Sequence, residues 1–168
     1  KIEIETLPDY VKYAFISAED ARFYSHEGVD IKRIFGALLA DLKAGYFKEG
    51  ASTITQQLIK NSHLTSEKTL PRKLQEAVLA YQLEQMYEKD EILEMYLNYI
   101  YFGNRAYGIE SAAQTYFNKG AAELTLAEAA LLAGVIKSPS QYAPHIKPEN
   151  AVKRRNLVLG LMCEYGYI

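Results

Sequence analysis

Apolar residues return every three or four positions along almost the whole chain, the period of a helix with one buried face. No segment alternates with the period of two that a half-buried strand shows. Thr6 and Asp9, with Pro8 between them, predict a helix start, and Val11, Phe15 and Ala18 then mark one face until Gly28 ends the region. Asp30 is placed to cap a second helix whose stripe is Ile31, Ile34, Phe35, Leu38, Leu39 and Leu42. AGYFKEG (44–50) reads as a loop, and Thr53 with Gln56 gives a capping-box start for the helix after it. A long helix follows over about 71–87. Its centre, AVLAYQL (77–83), is apolar nearly all round, the pattern of a buried helix. Asp90 caps the next one, with Ile92, Leu93, Tyr96, Leu97 and Ile100 on its inner face. FGNRAYG (102–108) is a turn and 109–118 a short helix. Thr125 and Glu128 open a small-residue helix reaching Ile136, 138–144 is irregular, and Pro148 starts a final helix to about Glu164. The fold class is mainly α.

Length and charge narrow this further. The 168 residues suit one domain, or one domain with a small sub-lobe, and at 49% hydrophobic they supply a real core. A net charge of −2 argues against nucleic acid as a partner. The single cysteine, Cys163, excludes an internal disulfide and reads as a buried packing residue. His26, His63 and His145 are scattered, so no metal site is expected. The longest apolar run, 129–136, is far short of the ~20 residues a membrane-spanning helix needs, and no leader pattern opens the chain.

Three stretches carry candidate chemistry. GASTITQQLIKN (50–61) crowds Ser52, Thr53, Gln56, Gln57, Lys60 and Asn61 into the start of a helix, as groups that contact sugars and phosphates would be. A polar surface helix is the plainer alternative. Glu19 lies among Phe15, Ile16, Arg22 and Phe23, where apolar neighbours would raise its pKa toward that of a general base; the alternative is an exposed glutamate paired with Arg22. Glu76 follows Arg72 and Lys73, two cations in the first turn of a helix, where the dipole favours negative charge. They suit an external anion, with Lys60 and Lys68 adding charge; an ordinary salt bridge on a solvated face is the alternative. The stripe from Ile31 to Leu42, extended by Tyr46 and Phe47, is expected in the core, with contact to a membrane surface as the second reading.

Five ordered blocks carry a family resemblance: EDARFYSHEG (19–28), GASTITQQLIKN (50–61), RKLQEAVLAYQLE (72–84), ILEMYLNYIYFG with AYGIESAAQTYF (92–117), and LTLAEAALLAGVIKSPSQYAP (124–144). In their order, spanning nearly the whole chain, they resemble the peptidoglycan glycosyltransferase (transglycosylase) domain of class A penicillin-binding proteins and their monofunctional relatives. No Ser-x-x-Lys, Ser-x-Asn or Lys-Thr-Gly of a transpeptidase is present.

The resemblance implies one domain over 1–168, with a lysozyme-like helical head lobe and a smaller jaw lobe, roughly 30–60, against the membrane. It implies lipid II as substrate, a nascent β-1,4-linked glycan strand as product and partner, and polyprenyl pyrophosphate as leaving group. It places the domain on the extracytoplasmic face of the bacterial plasma membrane, within a longer chain that carries an N-terminal anchor helix and, in class A members, a transpeptidase domain. Glu19 falls on the family's general base, and Glu76 on the donor-side glutamate that assists pyrophosphate departure. Lys60, Arg72 and Lys73, with Lys68, fall on positions associated with the pyrophosphate. Ser52, Thr53, Gln57 and Asn61 fall on polar cleft positions, and Asp20 and His26 on the supporting residues of the first block. No cofactor is required, though a divalent cation, Mg or Mn, is compatible with the family. Ala21 stands where the family often has a basic residue and Ala51 where it often has Gly. A lysozyme-like glycan-cleaving enzyme and a non-catalytic lipid II-binding domain are the rival readings; the cation cluster argues against the first and the intact glutamates against the second.

Overall fold

The computed structural model describes residues 1–44, 50–63, 67 and 69–168. Lys68, Tyr46, Phe47 and the greater part of the loop expected over 44–50 lie outside the described residues. The described residues are mainly helical: α1 (Asp9–Glu19), α2 (Ile31–Ala44), α3 (Ile54–His63), α4 (Leu70–Met86), α5 (Lys89–Tyr99), α6 (Ile109–Phe117), α7 (Leu126–Val135), α8 (Pro139–Tyr142) and α9 (Pro148–Glu164). Extended pairing among them is limited to one antiparallel bridge, Tyr101 to Tyr107. It closes a turn in which Asn104 and Arg105 take positive φ. The irregular stretch expected at 138–144 contains the single turn of α8, started by Pro139.

The chain divides into two compact units, one of Lys1–Ala21 with Asp90–Ile168 and one of Arg22–Lys89. In the first, α7 packs against α1 and α9. The inner face of α5 is as expected: Ile92, Leu93, Tyr96 and Leu97 are fully buried. The N-terminal segment is tied to that helix by Asn98, whose amide accepts from Ile2 N–H at 2.7 Å and donates to Ile2 C=O at 2.9 Å. Cys163 is exposed rather than buried.

The capping box at α7 forms as the spacing predicts. Thr125 N–H donates to Glu128 Oε2 at 2.8 Å, Glu128 N–H donates to Thr125 Oγ1 at 3.3 Å, and Lys119 Nζ donates to both Glu128 oxygens at 3.1 Å. Partial burial acts to raise the Glu128 pKa, but the bonds from Thr125 and Lys119 outweigh it and hold the carboxyl below its usual value. A depressed folded-state pKa gives stability that is present above the unfolded pKa and lost as pH falls through the folded one. Glu128→Gln is therefore expected to cost roughly 1 kcal/mol near neutrality. The gap from wild type should close as denaturation is repeated at successively lower pH, through the carboxylate range and below.

In the second unit α3 packs against α4. The α2 stripe is not core: Ile31, Phe35 and Leu42 are 64%, 62% and 72% exposed. Nor is α4 a buried helix. Leu74, Val78 and Tyr81, which share one face by their three- and four-residue spacing, are all exposed, and only Glu76 and Ala80 of this helix are buried. The polarity of α4 is thus inverted. Its covered side carries Glu76, Ala80 and Glu84 at helical spacing, while Leu74, Val78 and Tyr81 lie on the open side and Leu79 and Leu83 are half-buried.

Candidate functional site

The candidate residues fall into three groups, two in the second unit and one in the first.

The first group is built on the opening turns of α4. Thr69 caps the helix by accepting from Arg72 N–H at 3.3 Å, which sets Arg72 and Lys73 in the first turn and Glu76 one turn on. Glu76 is fully buried, with a side chain only 1% exposed, and it is held from both sides. Lys73 Nζ donates to its Oε1 at 2.6 Å, and Arg72 Nη1 donates to its Oε2 at 3.4 Å. Lys73 Nζ also donates to Ser52 Oγ at 2.6 Å, so a residue from the chain before α3 joins the cluster. The local salt bridge weighed from the sequence is present, but about a carboxylate withdrawn from solvent. The balance is what matters chemically. Two cations face one carboxylate, which leaves one positive charge over, and an ammonium with three donors has two engaged. The Lys73 side chain is 45% exposed. Arg72 Nε is buried with no hydrogen-bond partner among the described residues. This cluster can accept an anion.

The second group surrounds Gly28. Its φ of +97° is one that L side chains rarely adopt, and a Cβ there would lie 2.8 Å from the α4 backbone at Ala80 and Tyr81. The Gly28 carbonyl accepts from Thr53 Oγ1 at 2.6 Å. Thr53 also accepts from Gln56 N–H, and its own N–H donates to Gln56 Oε1 at 3.0 Å, completing the capping box. The hydroxyl of the wholly buried Thr53 is thus engaged inside the fold, and Gln56, 2% exposed, is likewise part of the helix start. Both had been expected to contact sugar or phosphate; their observed bonds join α3 to Gly28 instead.

His26 lies beside this joint. Its Nδ1 accepts from Gly28 N–H at 3.1 Å. The same nitrogen is 3.7 Å from Glu84 Oε1, but two acceptors do not make an ion pair. The cation between them is Lys89, whose Nζ is 2.7 Å from Glu84 Oε2 and 3.4 Å from His26 Nδ1, and which lies 4.6 Å from the Phe23 ring centroid. Thr55 Oγ1 donates to Glu84 Oε1 at 2.7 Å. Glu84 was not among the sequence candidates. The signal was present, since it stands eight residues after Glu76, on the same face of α4. Lys60 and Asn61 lie exposed on the last part of α3, and Gln57 is half-buried.

The third group, in the first unit, is at the end of α1. Glu19 is the last residue of the helix, 8% exposed, and Asp20 follows it, fully buried, with its N–H donating to Ile16 C=O at 2.9 Å. The buried Tyr96 of α5 senses both. Burial pushes its phenol well above the usual value, and the charges of Glu19 and Asp20 add to the shift. Among the described residues no three His, Cys, Asp or Glu side chains converge so as to hold a metal ion, and no helix is long and apolar enough to cross a membrane.

Comparison with known proteins adds a consistent finding. A family model described as transglycosylase matches residues 1–163. The chain is similar to penicillin-binding protein 1A/1B of Bacillus subtilis (strain 168), 55% identical over 168 residues, covering 99% of this chain and 18% of that protein. It is 50% identical over 167 residues to penicillin-binding protein 1A of Aquifex aeolicus (strain VF5), covering 99% of this chain and 23% of that one. A crystal structure of penicillin-binding protein 1A from Haemophilus influenzae matches 68% of this chain and 14% of its own, at 36% identity and a TM-score of 0.47. The chain therefore spans less than a quarter of the length of these relatives.

Proposed function

The chain belongs to the transglycosylase family, and from that premise we propose that it is a peptidoglycan glycosyltransferase domain that polymerises lipid II. The product is a β-1,4-linked glycan strand, formed with inversion at the anomeric carbon, and the leaving group is polyprenyl pyrophosphate. The observation that carries this reading is the buried Glu76 held between Lys73 and Arg72, with one positive charge in excess. An enzyme that cuts an uncharged glycosidic bond has no need of that excess. An enzyme that expels a pyrophosphate does, because negative charge grows on the departing oxygen and preorganised cations stabilise it.

In this mechanism Glu19 takes the proton from the 4-hydroxyl of the acceptor sugar, whose oxygen attacks the anomeric carbon of the lipid-linked donor as the bond to pyrophosphate breaks. Glu19 is 8% exposed at the last residue of α1, which withdraws this carboxyl from bulk solvent. Glu76 holds Lys73 and Arg72 in place on the donor side, with Ser52 fixing the ammonium, and Lys60 and Lys68 supply further positive charge. Gln57 and Asn61 face the sugar or phosphate oxygens. Asp20 and His26 support the segments around them. Both Glu76 oxygens are engaged by cations, so these residues do not fit a protein-held divalent ion. A cation arriving with the pyrophosphate belongs to the substrate.

The proposal extends to surroundings. The exposed apolar stripe of α2 serves as the jaw's contact with the membrane surface, and the chain works outside the cytoplasm as part of a longer, anchored protein.

Two measurements test this. Polyprenyl pyrophosphate should appear in step with each disaccharide consumed; glycan breakdown without it would contradict the transferase reading. Lys73→Ala should weaken the donor-site KM about 10- to 100-fold, the scale of a charge-assisted hydrogen bond, and leave the acceptor-site KM nearly unchanged. Equal loss at both sites would count against the pyrophosphate role.

A further inference from the structure

We propose that the cavity between α8 and α9 is a binding site for a carboxylate borne on a peptide, separate from the glutamates above and independent of the transferase reading. The cavity measures about 350 Å³ and is lined by Gln141 and Tyr142 of α8 and by Asn150, Lys153, Arg154 and Leu157 of α9. The four α9 positions follow the i, i+3, i+4, i+7 spacing of one helix face. Three of the four are an amide and two cations, and Lys153 and Leu157 are exposed, so this face opens to solvent.

The cations are not engaged by acids. Among the described residues neither Lys153 nor Arg154 makes an ion pair, although Glu149 lies one turn before Lys153. No carboxylate lines the cavity. Arg154 is also held in place. Its stem lies where α7 comes closest, so that a Cβ on Gly134 would meet Arg154 Cγ at 2.8 Å, and its guanidinium carbon lies 5.6 Å from the Tyr142 ring centroid. Its Nε is buried with no hydrogen-bond partner among the described residues. Gln141 Oε1 accepts from Lys147 Nζ at 2.7 Å, so the carboxamide oxygen is turned to that lysine and the NH₂ remains to donate. The site thus combines a fixed guanidinium, an ammonium and two amides with the apolar surfaces of Leu157 and Tyr142. A planar carboxylate matches the guanidinium fork in two parallel bonds, and an adjacent aliphatic side chain would lie on Leu157.

The test uses the ¹⁵N-labelled chain, titrated at constant ionic strength with N-acetyl-alanyl-alanine and, separately, with inorganic phosphate. The peptide should give saturable shifts confined to amides of 139–157, with a Kd in the millimolar range, ~1 mM corresponding to the weak end of specific binding. Phosphate should bind more weakly. Lys153→Glu, at an exposed position, should keep the spectrum of the folded chain and weaken the peptide at least about 10-fold, the effect of reversing one charge beside the bound anion. Arg154→Lys, which keeps the stem and the charge but not the fork, should lower the preference for the peptide over phosphate. The proposal is overturned if neither probe gives saturable shifts there, if phosphate binds more tightly than the peptide, or if Lys153→Glu binds as wild type does.

Discussion

Glu19→Gln is expected to lower the rate of lipid II polymerisation by about 10²- to 10⁴-fold, the scale of general base catalysis, while leaving the fold intact. The change replaces a carboxylate by an amide of almost the same shape, so packing around α1 and the buried Asp20 next to it should survive. What would be lost is the proposed transfer of a proton from the acceptor hydroxyl. The measurement is single-turnover consumption of lipid II, with circular dichroism and the unfolding midpoint as controls on folding. A variant that polymerises at the wild-type rate would remove Glu19 from the mechanism.

Gly28→Ala has the largest expected effect on stability, a loss of roughly 2–4 kcal/mol. About 1 kcal/mol comes from forcing an L side chain into a φ of +97°. The remainder comes from backbone that must move, because the new methyl would lie 2.8 Å from three main-chain atoms of α4, none of which belongs to a flexible side chain. The Thr53 bond to the Gly28 carbonyl and the Gly28 bond to His26 would be disturbed with it. Gly36→Ala is the control. Nothing lies within 4 Å of a Cβ at that helical position, and the change should stabilise the chain by about 1 kcal/mol. Urea denaturation of both variants checks the pair, and a Gly28→Ala midpoint equal to wild type would refute the joint between residue 28 and α4.

Some local rules were legible in the sequence, though Asp90 lies in the first turn of α5 rather than capping it and Pro8 rather than Thr6 precedes α1; long-range ones were not. Thr53–Gln56 and Thr125–Glu128 each specify a helix start through bonds three residues apart, and both boxes are present. The inner face of α5 followed from period alone. The inverted polarity of α4 could not follow from period, because a count of apolar residues does not say which face a neighbour covers. The engagement of Thr53 by a carbonyl 25 residues earlier is likewise a property of the folded chain, as is the meeting of Glu84 with Thr55, 29 residues before it. For the candidate site, the placing of Arg72 and Lys73 one turn before Glu76 was readable from spacing. That Ser52 would share the ammonium of Lys73 was not, since the two are 21 residues apart.

We propose that this chain joins lipid-linked disaccharides rather than cutting glycan or merely binding it. The most direct measurement is incubation of the 168-residue chain with purified lipid II in detergent, followed by separation of the products on a gel. A ladder of glycan strands extending by one disaccharide per step is expected. Intact lipid II after prolonged incubation with a folded chain that binds it, or shortening of added glycan strands, would contradict it.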